Sequence, residues 1–144
     1  GVRLHVGQFA DVGGAELAAE LGARSADHLE RVSDAGIDAL ARAGTCATLL
    51  PVASLTLRDD PPPIVRLRRA GVPLVVASDA NPGTAPTESL PLAMSFAARF
   101  YGLSLADVTR AARDANRPDS SYSASCRGWA SSSSSPYAIV PSSS

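Results

Sequence analysis

Apolar residues fall in two alternating patterns over residues 1 to about 116. Short runs read as strands, and stretches with apolar positions three and four apart read as helices. The strand candidates are Val2 to His5, Ala26 to Leu29, Cys46 to Leu50 and Pro73 to Ala77. The last of these is an unbroken apolar run with β-branched residues, the mark of a strand buried on both faces. Between them lie helix candidates. The first runs over Gly13 to Leu21, with Ala15, Leu17, Ala18 and Leu21 on one face and Gly22 as its stop. The second is capped by Ser33 or Asp34 and runs to Ala43, with Gly44 just past its end. A third is opened by Pro61 to Pro63 and closed by Gly71. Pro51 is read as a stop to the third strand. After a loop from Asp79 to Pro86, helices are expected over Leu90 to Tyr101 and, behind the cap candidate Ser104, over Leu105 to Ala115.

Strands and helices alternating at about 20 to 30 residues predict parallel strands joined by crossovers, an α/β fold. Pattern alone does not separate a piece of an eightfold barrel from an open doubly wound sheet. From Arg117 the composition changes to serine, including the run Ser131 to Ser135. Residues 117–144 are therefore read as a low-complexity tail, irregular or not native-like.

Composition narrows the function classes. The chain has 144 residues, 45% of them hydrophobic, with 13 basic and 14 acidic side chains. That is enough apolar material for a core, and it leaves no electrostatic footprint for nucleic acid or an anionic membrane. No apolar run approaches the roughly 20 residues of a membrane helix. No secretory preamble precedes Gly1-Val2-Arg3, so a cytoplasmic location is expected. Cys46 and Cys126 are too few for a disulfide scaffold or a cysteine-rich zinc site. A nucleotide-binding module is disfavoured, because Gly13-Gly14 lie too far from His5 and match no G-x-G-x-x-G pattern.

The chemistry is positional. His5, His28 and Asp79 each fall at the C-terminal end of a strand candidate, the edge where parallel α/β folds place their sites. Each has a plainer reading: a half-buried core histidine for His5, a loop residue for His28, and a turn residue before Asn81-Pro82-Gly83 for Asp79. Together, imidazole nitrogens and a carboxylate suit metal-assisted hydrolysis with zinc or iron(II).

The motifs themselves resemble a known family. They are His5-Val6-Gly7-Gln8-Phe9, Ser25-Ala26-Asp27-His28-Leu29-Glu30, Ala43-Gly44-Thr45-Cys46 and Ser78-Asp79-Ala80-Asn81-Pro82-Gly83-Thr84. From about Val2 to about Ala112 the chain is similar to the imidazolonepropionase family of the metal-dependent amidohydrolase superfamily. The resemblance implies strands five to eight of an eight-stranded TIM-like (β/α) barrel. It implies ring opening of 4-imidazolone-5-propanoate by water to N-formimidoyl-L-glutamate, in histidine degradation, with one zinc or iron ion. The partner implied is this small molecule, in a family that is commonly dimeric. By the same resemblance His5 and Asp79 match metal ligands, and His28 and Asp79 catalytic groups. Gln8, Asn81, Gly83 and Thr84 match substrate-binding positions.

Two departures stand out. Val6-Gly7 replace the family's Ala-Asp, and the family's His-x-His pair is absent from these residues. Two rival expectations follow: an inactive barrel portion, and a different single-metal amidohydrolase, a cyclic amidase or deaminase. The Asn81-Pro82-Gly83-Thr84 loop favours imidazolonepropionase over the second.

Overall fold

The computed structural model describes residues 1–115, with side chains to Arg113. The expectations for residues 117–144 lie outside the described residues. Four strands, β1 (Arg3–Val6), β2 (Ser25–His28), β3 (Cys46–Leu49) and β4 (Leu74–Val76), form one sheet in the order β1-β2-β3-β4. Every neighbouring pair is parallel. Six helices accompany them among the described residues: α1 (Gly14–Glu20), α2 (Asp34–Ala43), α3 (Pro51–Leu57), α4 (Ile64–Arg69), α5 (Leu90–Phe100) and α6 (Leu105–Ala115). The α/β class read from the pattern is what the chain adopts. Strands are added one after another on the same side, with no reversal of order of the kind a doubly wound sheet shows at its switch point.

Strand alternation assigns the two faces. Leu4 and Val6, Ala26, Ala47 and Leu49, and Leu74 and Val76 share the parity that joins the main core. There they meet Ala15 and Ala18 of α1, Ile37 and Leu40 of α2, Leu67 of α4 and Val108 of α6. The opposite parity carries Arg3, His5, Ser25, Asp27, Cys46, Thr48 and Val75. It is much more polar, and the buried hydroxyls of Ser25 and Thr48 have no hydrogen-bond partner.

Helix ends follow the capping residues. Ser33 Oγ accepts the Gly36 N–H at 3.1 Å, and Gly44 takes the left-handed conformation, φ 69°, that ends α2. Ser104 Oγ accepts the Asp107 N–H at 3.1 Å and donates to the Asp107 carboxylate at 2.8 Å. Inside α2, Gly36 is required by packing: a Cβ there would lie 2.9 Å from the Ala15 Cβ and from Val32 Cγ2. α1 and α2 therefore approach more closely than any larger residue allows.

The expectation that failed is the reading of Pro51 as a simple stop. Pro51 ends β3 and also begins α3, where its missing N–H costs nothing because the first turn leaves that group unpaired anyway. Pro51, Val52, Ala53 and Ser54 are buried. Strand bounds also shift by a residue or two. β2 ends at His28 rather than Leu29: the pairing with β1 runs to His28, where the backbone already has positive φ, 80°, and Leu29 follows at 68°.

Candidate functional site

The C-terminal edge of the sheet carries two separate groups of polar side chains. The first lies where β1 and β2 end. Register pairs His5 with Asp27 and Val6 with His28. The backbone then leaves extended geometry: His28 and Leu29 both have positive φ, and Leu29 N donates to the Val6 carbonyl at 3.0 Å. Arg31 N donates to the Gly7 carbonyl at 2.7 Å. Gly7 is itself left-handed, φ 65°, so the glycine in place of the family's aspartate occupies a conformation that suits it. Non-glycine residues in this region cost of order 1–3 kcal/mol each and gather at functional sites. Here the fully buried Leu29 side chain and those two backbone bonds hold the turn.

The turn brings the two histidines together. His28 Nε2 and His5 Nδ1 are 3.0 Å apart, with ring centroids at 5.0 Å. Their environments differ: the His5 side chain is 61% exposed and that of His28 only 3%. His5 is thus neither a core histidine nor half-buried, and His28 is no loose loop residue. A carboxylate flanks each outer nitrogen. Asp27 Oδ2 lies 3.7 Å from His5 Nε2, and Glu30 Oε2 lies 3.8 Å from His28 Nδ1. Behind Glu30, Ser54 Oγ of α3 donates to Glu30 Oε1 at 2.8 Å and meets the Tyr101 hydroxyl at 2.7 Å. Burial pushes the Tyr101 hydroxyl well above the ordinary tyrosine range. The Ser54 hydrogen bond opposes that rise, and the charges of Glu30 and Asp59 add to it.

The second group lies beyond β4. Asp79 is left-handed, φ 54°, and half-buried. Asn81 organises the loop around it. Asn81 Nδ2 donates to the Asp79 carbonyl at 2.7 Å and to Thr84 Oγ1 at 3.0 Å, and lies 3.4 Å from Asp79 Oδ2. Asn81 Oδ1 accepts the N–H groups of Gly83 and Thr84 at 2.9 and 2.8 Å. Asn81 and Ala85 close the loop with an isolated antiparallel bridge.

All the candidates read from the sequence therefore lie on one sheet edge, in two groups. His5 and His28 touch. Asp79, Asn81, Gly83 and Thr84 form one loop. Gln8 is half-buried in the bend after Gly7. β1 and β4 are separated by two strands, about 14 Å across a flat sheet at about 4.8 Å per strand. Among the described residues no cluster of three metal-donor side chains forms. The residues that sequence reasoning missed are Asp27, Glu30, Ser54 and Tyr101. The signal for the first two was present: both are carboxylates within two positions of one of only two histidines. Nothing in the sequence linked Ser54 and Tyr101 to them.

A parallel α/β sheet with histidine, carboxylate and amide groups along its C-terminal edge belongs to the class that binds ligands on that edge. No protein-family model matches the chain. Individual relatives do. Over 114 residues the chain is 53% identical to the imidazolonepropionase of Polaromonas sp., covering 76% of this chain and 27% of that protein. Against the imidazolonepropionase of Chromobacterium violaceum it is 51% identical over 119 residues, 79% of this chain and 29% of that protein. Against that of Paracoccus denitrificans it is 50% identical over 114 residues, 76% of this chain and 28% of that protein. Over the aligned stretch the chain is homologous to imidazolonepropionases, and it spans less than a third of their length.

Proposed function

We propose that this chain supplies strands five to eight of a TIM-like barrel in an imidazolonepropionase, a cytoplasmic hydrolase that opens 4-imidazolone-5-propanoate to N-formimidoyl-L-glutamate. The observation that carries this reading is a coincidence of two kinds of evidence. Relatives near 50% identity bear that name, and the motif residues that prompted it sit on one edge of a parallel sheet. The uninterrupted strand order is what a barrel wall requires, and sheet curvature would shorten the span between β1 and β4. The other names the sequence suggested, a cyclic amidase or a deaminase, have no support among these relatives.

In this reading His5 and Asp79 are metal ligands. Gln8, Asn81, Gly83 and Thr84 hold the substrate, and His28 and Asp79 act on it. Imidazole and carboxylate are the right donors for zinc or iron, but the described residues do not complete a metal site. No step is therefore routed through the ion. When bound, it would supply a Lewis acid and a water of lowered pKa. The chain's own residues have definable parts. His28 is buried against His5 and can orient a polar atom presented at that edge. Asn81 fixes the backbone that presents Asp79, leaving its carboxylate beside one amide N–H. Residues Gly83 and Thr84 are held in a tight loop by the Asn81 side chain, and their N–H groups both point at it. A homodimer of the whole enzyme is part of the proposal.

A segment exchange tests it. Residues 2–112 replace the matching stretch of the Chromobacterium violaceum relative, and ring opening of 4-imidazolone-5-propanoate is followed by loss of its absorbance. The expected result is an active chimera that His5→Ala or Asp79→Ala inactivates. A folded chimera without activity, or one indifferent to both substitutions, overturns the reading. The 144-residue chain alone is expected to bind zinc or iron weakly and to show no ring opening.

A further inference from the structure

The buried carboxylate of Glu30 has no part in the function proposed above, and its surroundings ask for one. Glu30 Oε2 and His28 Nδ1 are both buried and both without a hydrogen-bond partner, and they face one another at 3.8 Å. Neither side chain has more than 3% of its surface exposed, so water does not satisfy them. A buried acceptor facing a ring nitrogen is stable when that nitrogen carries the proton, and repulsive when it presents a lone pair. The remaining gap closes with a side-chain shift of less than an ångström.

We propose that Glu30 is a positioning residue that holds His28 in the Nδ1–H tautomer, so that His28 Nε2 accepts from His5 and leaves His5 Nε2 unprotonated at the sheet edge. The order of donors along the cluster carries the inference. Ser54 donates to Glu30 Oε1, which fixes the carboxylate from behind. Tyr101 can then donate to Ser54. On the other side, a proton on His28 Nδ1 leaves Nε2 as an acceptor. The 3.0 Å contact to His5 Nδ1 then takes its proton from His5. Two neutral rings have two protons for three gaps: Glu30 to His28, His28 to His5, and His5 to Asp27. The middle contact always takes one. Burial decides the other: the His28–Glu30 end is closed to water, while His5 is 61% exposed, so solvent can satisfy its Nε2 and the mismatch is least costly there. An imidazole nitrogen without a proton is the form that accepts a hydrogen bond or ligates a metal, and partners behind such rings commonly set which nitrogen is offered.

The assignment of a task to His5 Nε2 rests on the hydrolase reading; the tautomer itself does not. The test is made on the full 144-residue chain, uniformly labelled with nitrogen-15, by long-range proton–nitrogen correlation of the imidazole rings at about pH 8, where free imidazole is neutral. Only two histidines give signals, and a His5→Asn chain assigns them. The expected spectrum has His28 protonated at Nδ1 and bare at Nε2, with His5 bare at Nε2. His28 bare at Nδ1, or either ring protonated at both nitrogens, overturns the proposal. Glu30→Leu, which removes the acceptor at similar size, is expected to move the His28 proton to Nε2. Unchanged ring shifts in a folded Glu30→Leu chain also overturn it. Should that variant not fold, the parent spectrum alone decides. Ser54→Ala keeps the carboxylate and is expected to leave the tautomer as it is; a switch there would overturn the assignment to Glu30. An inactive chimera with the expected tautomer counts against the hydrolase reading only, and an active one with the opposite tautomer counts against this inference only.

Discussion

The two polar groups on the sheet edge are built in opposite ways. Behind β1 and β2, contacts span long stretches of chain: 23 residues from His5 to His28, 24 from Glu30 to Ser54 and 47 from Ser54 to Tyr101. Those groups are mostly buried and depend on β1, β2, α3 and the end of α5 being in place together. Beyond β4, the bonds that organise the Asp79 to Ala85 loop join residues two to four apart. One asparagine does most of the organising, in partial contact with water. The first group is therefore a product of the fold and the second is a local motif set upon it. Damage to the first should propagate into stability, and damage to the second should stay in the loop.

The largest expected effect tests that propagation. Leu29→Ala removes a fully buried side chain from the turn that joins the two histidines. Loss of about 2–5 kcal/mol is expected, as for other buried leucines, read as a lowered midpoint of urea unfolding. A loss as small as a surface change would mean that the turn is held by its backbone bonds alone, and the contrast between the two regions would weaken.

Glu30→Ala comes next. It strands the Ser54 hydroxyl and His28 Nδ1 in a closed environment, at an expected cost of about 1–3 kcal/mol. Tyr101→Phe should cost about 1 kcal/mol and change the response to alkali. The folded state holds the Tyr101 hydroxyl above its ordinary range, chiefly by burial. A raised value stabilises the folded chain fully below the unfolded tyrosine pKa of about 10 and loses that contribution as pH climbs towards the folded value. Unfolding measured from pH 8 upward should thus show stability falling above about pH 10 in the parent, and falling less in Tyr101→Phe. Parallel curves would show that Tyr101 ionises as freely folded as unfolded.

The same contrast explains what could be read from the sequence. The four strands, the Ser33 cap, the left-handed Gly44 and the Asn81-Gly83 turn were legible because each depends on neighbours within a few positions. So was the placement of His5, His28 and Asp79 at strand ends, since a βα repeat fixes that edge once the strands are found. The Glu30–Ser54–Tyr101 cluster was not, because it arises only when α3 and α5 pack together. α3 was lost to an ambiguity in proline chemistry: the same residue that ends a strand is a favoured helix start. The positive-φ pair His28 and Leu29 was equally hidden, since neither residue type announces that conformation.

The smallest expected effect on stability belongs to Asn81, and it separates shape from charge. Asn81→Ala removes an acceptor for two loop N–H groups and a donor to Asp79 and Thr84. Gly83 is exposed and Thr84 half-buried, so water can replace part of what is lost, and less than about 1 kcal/mol should disappear. Asn81→Asp is the sharper change. Aspartate keeps the acceptor that the Gly83 and Thr84 N–H groups use, so the turn should survive with stability within about 0.5 kcal/mol. What it loses are the N–H groups directed at Asp79 and at Thr84 Oγ1, and in their place a second carboxylate oxygen would stand near Asp79 Oδ2, where the amide nitrogen is now 3.4 Å away. Like charges at that spacing oppose each other, and the Asp79 side chain should turn away. In the chimera the expected outcome is a loop of unchanged stability whose ring-opening rate falls at least as far as in Asn81→Ala. If Asn81→Asp instead retained full rate, the amide would serve the turn alone, and the loop beyond β4 would differ from the histidine pair only in where it sits.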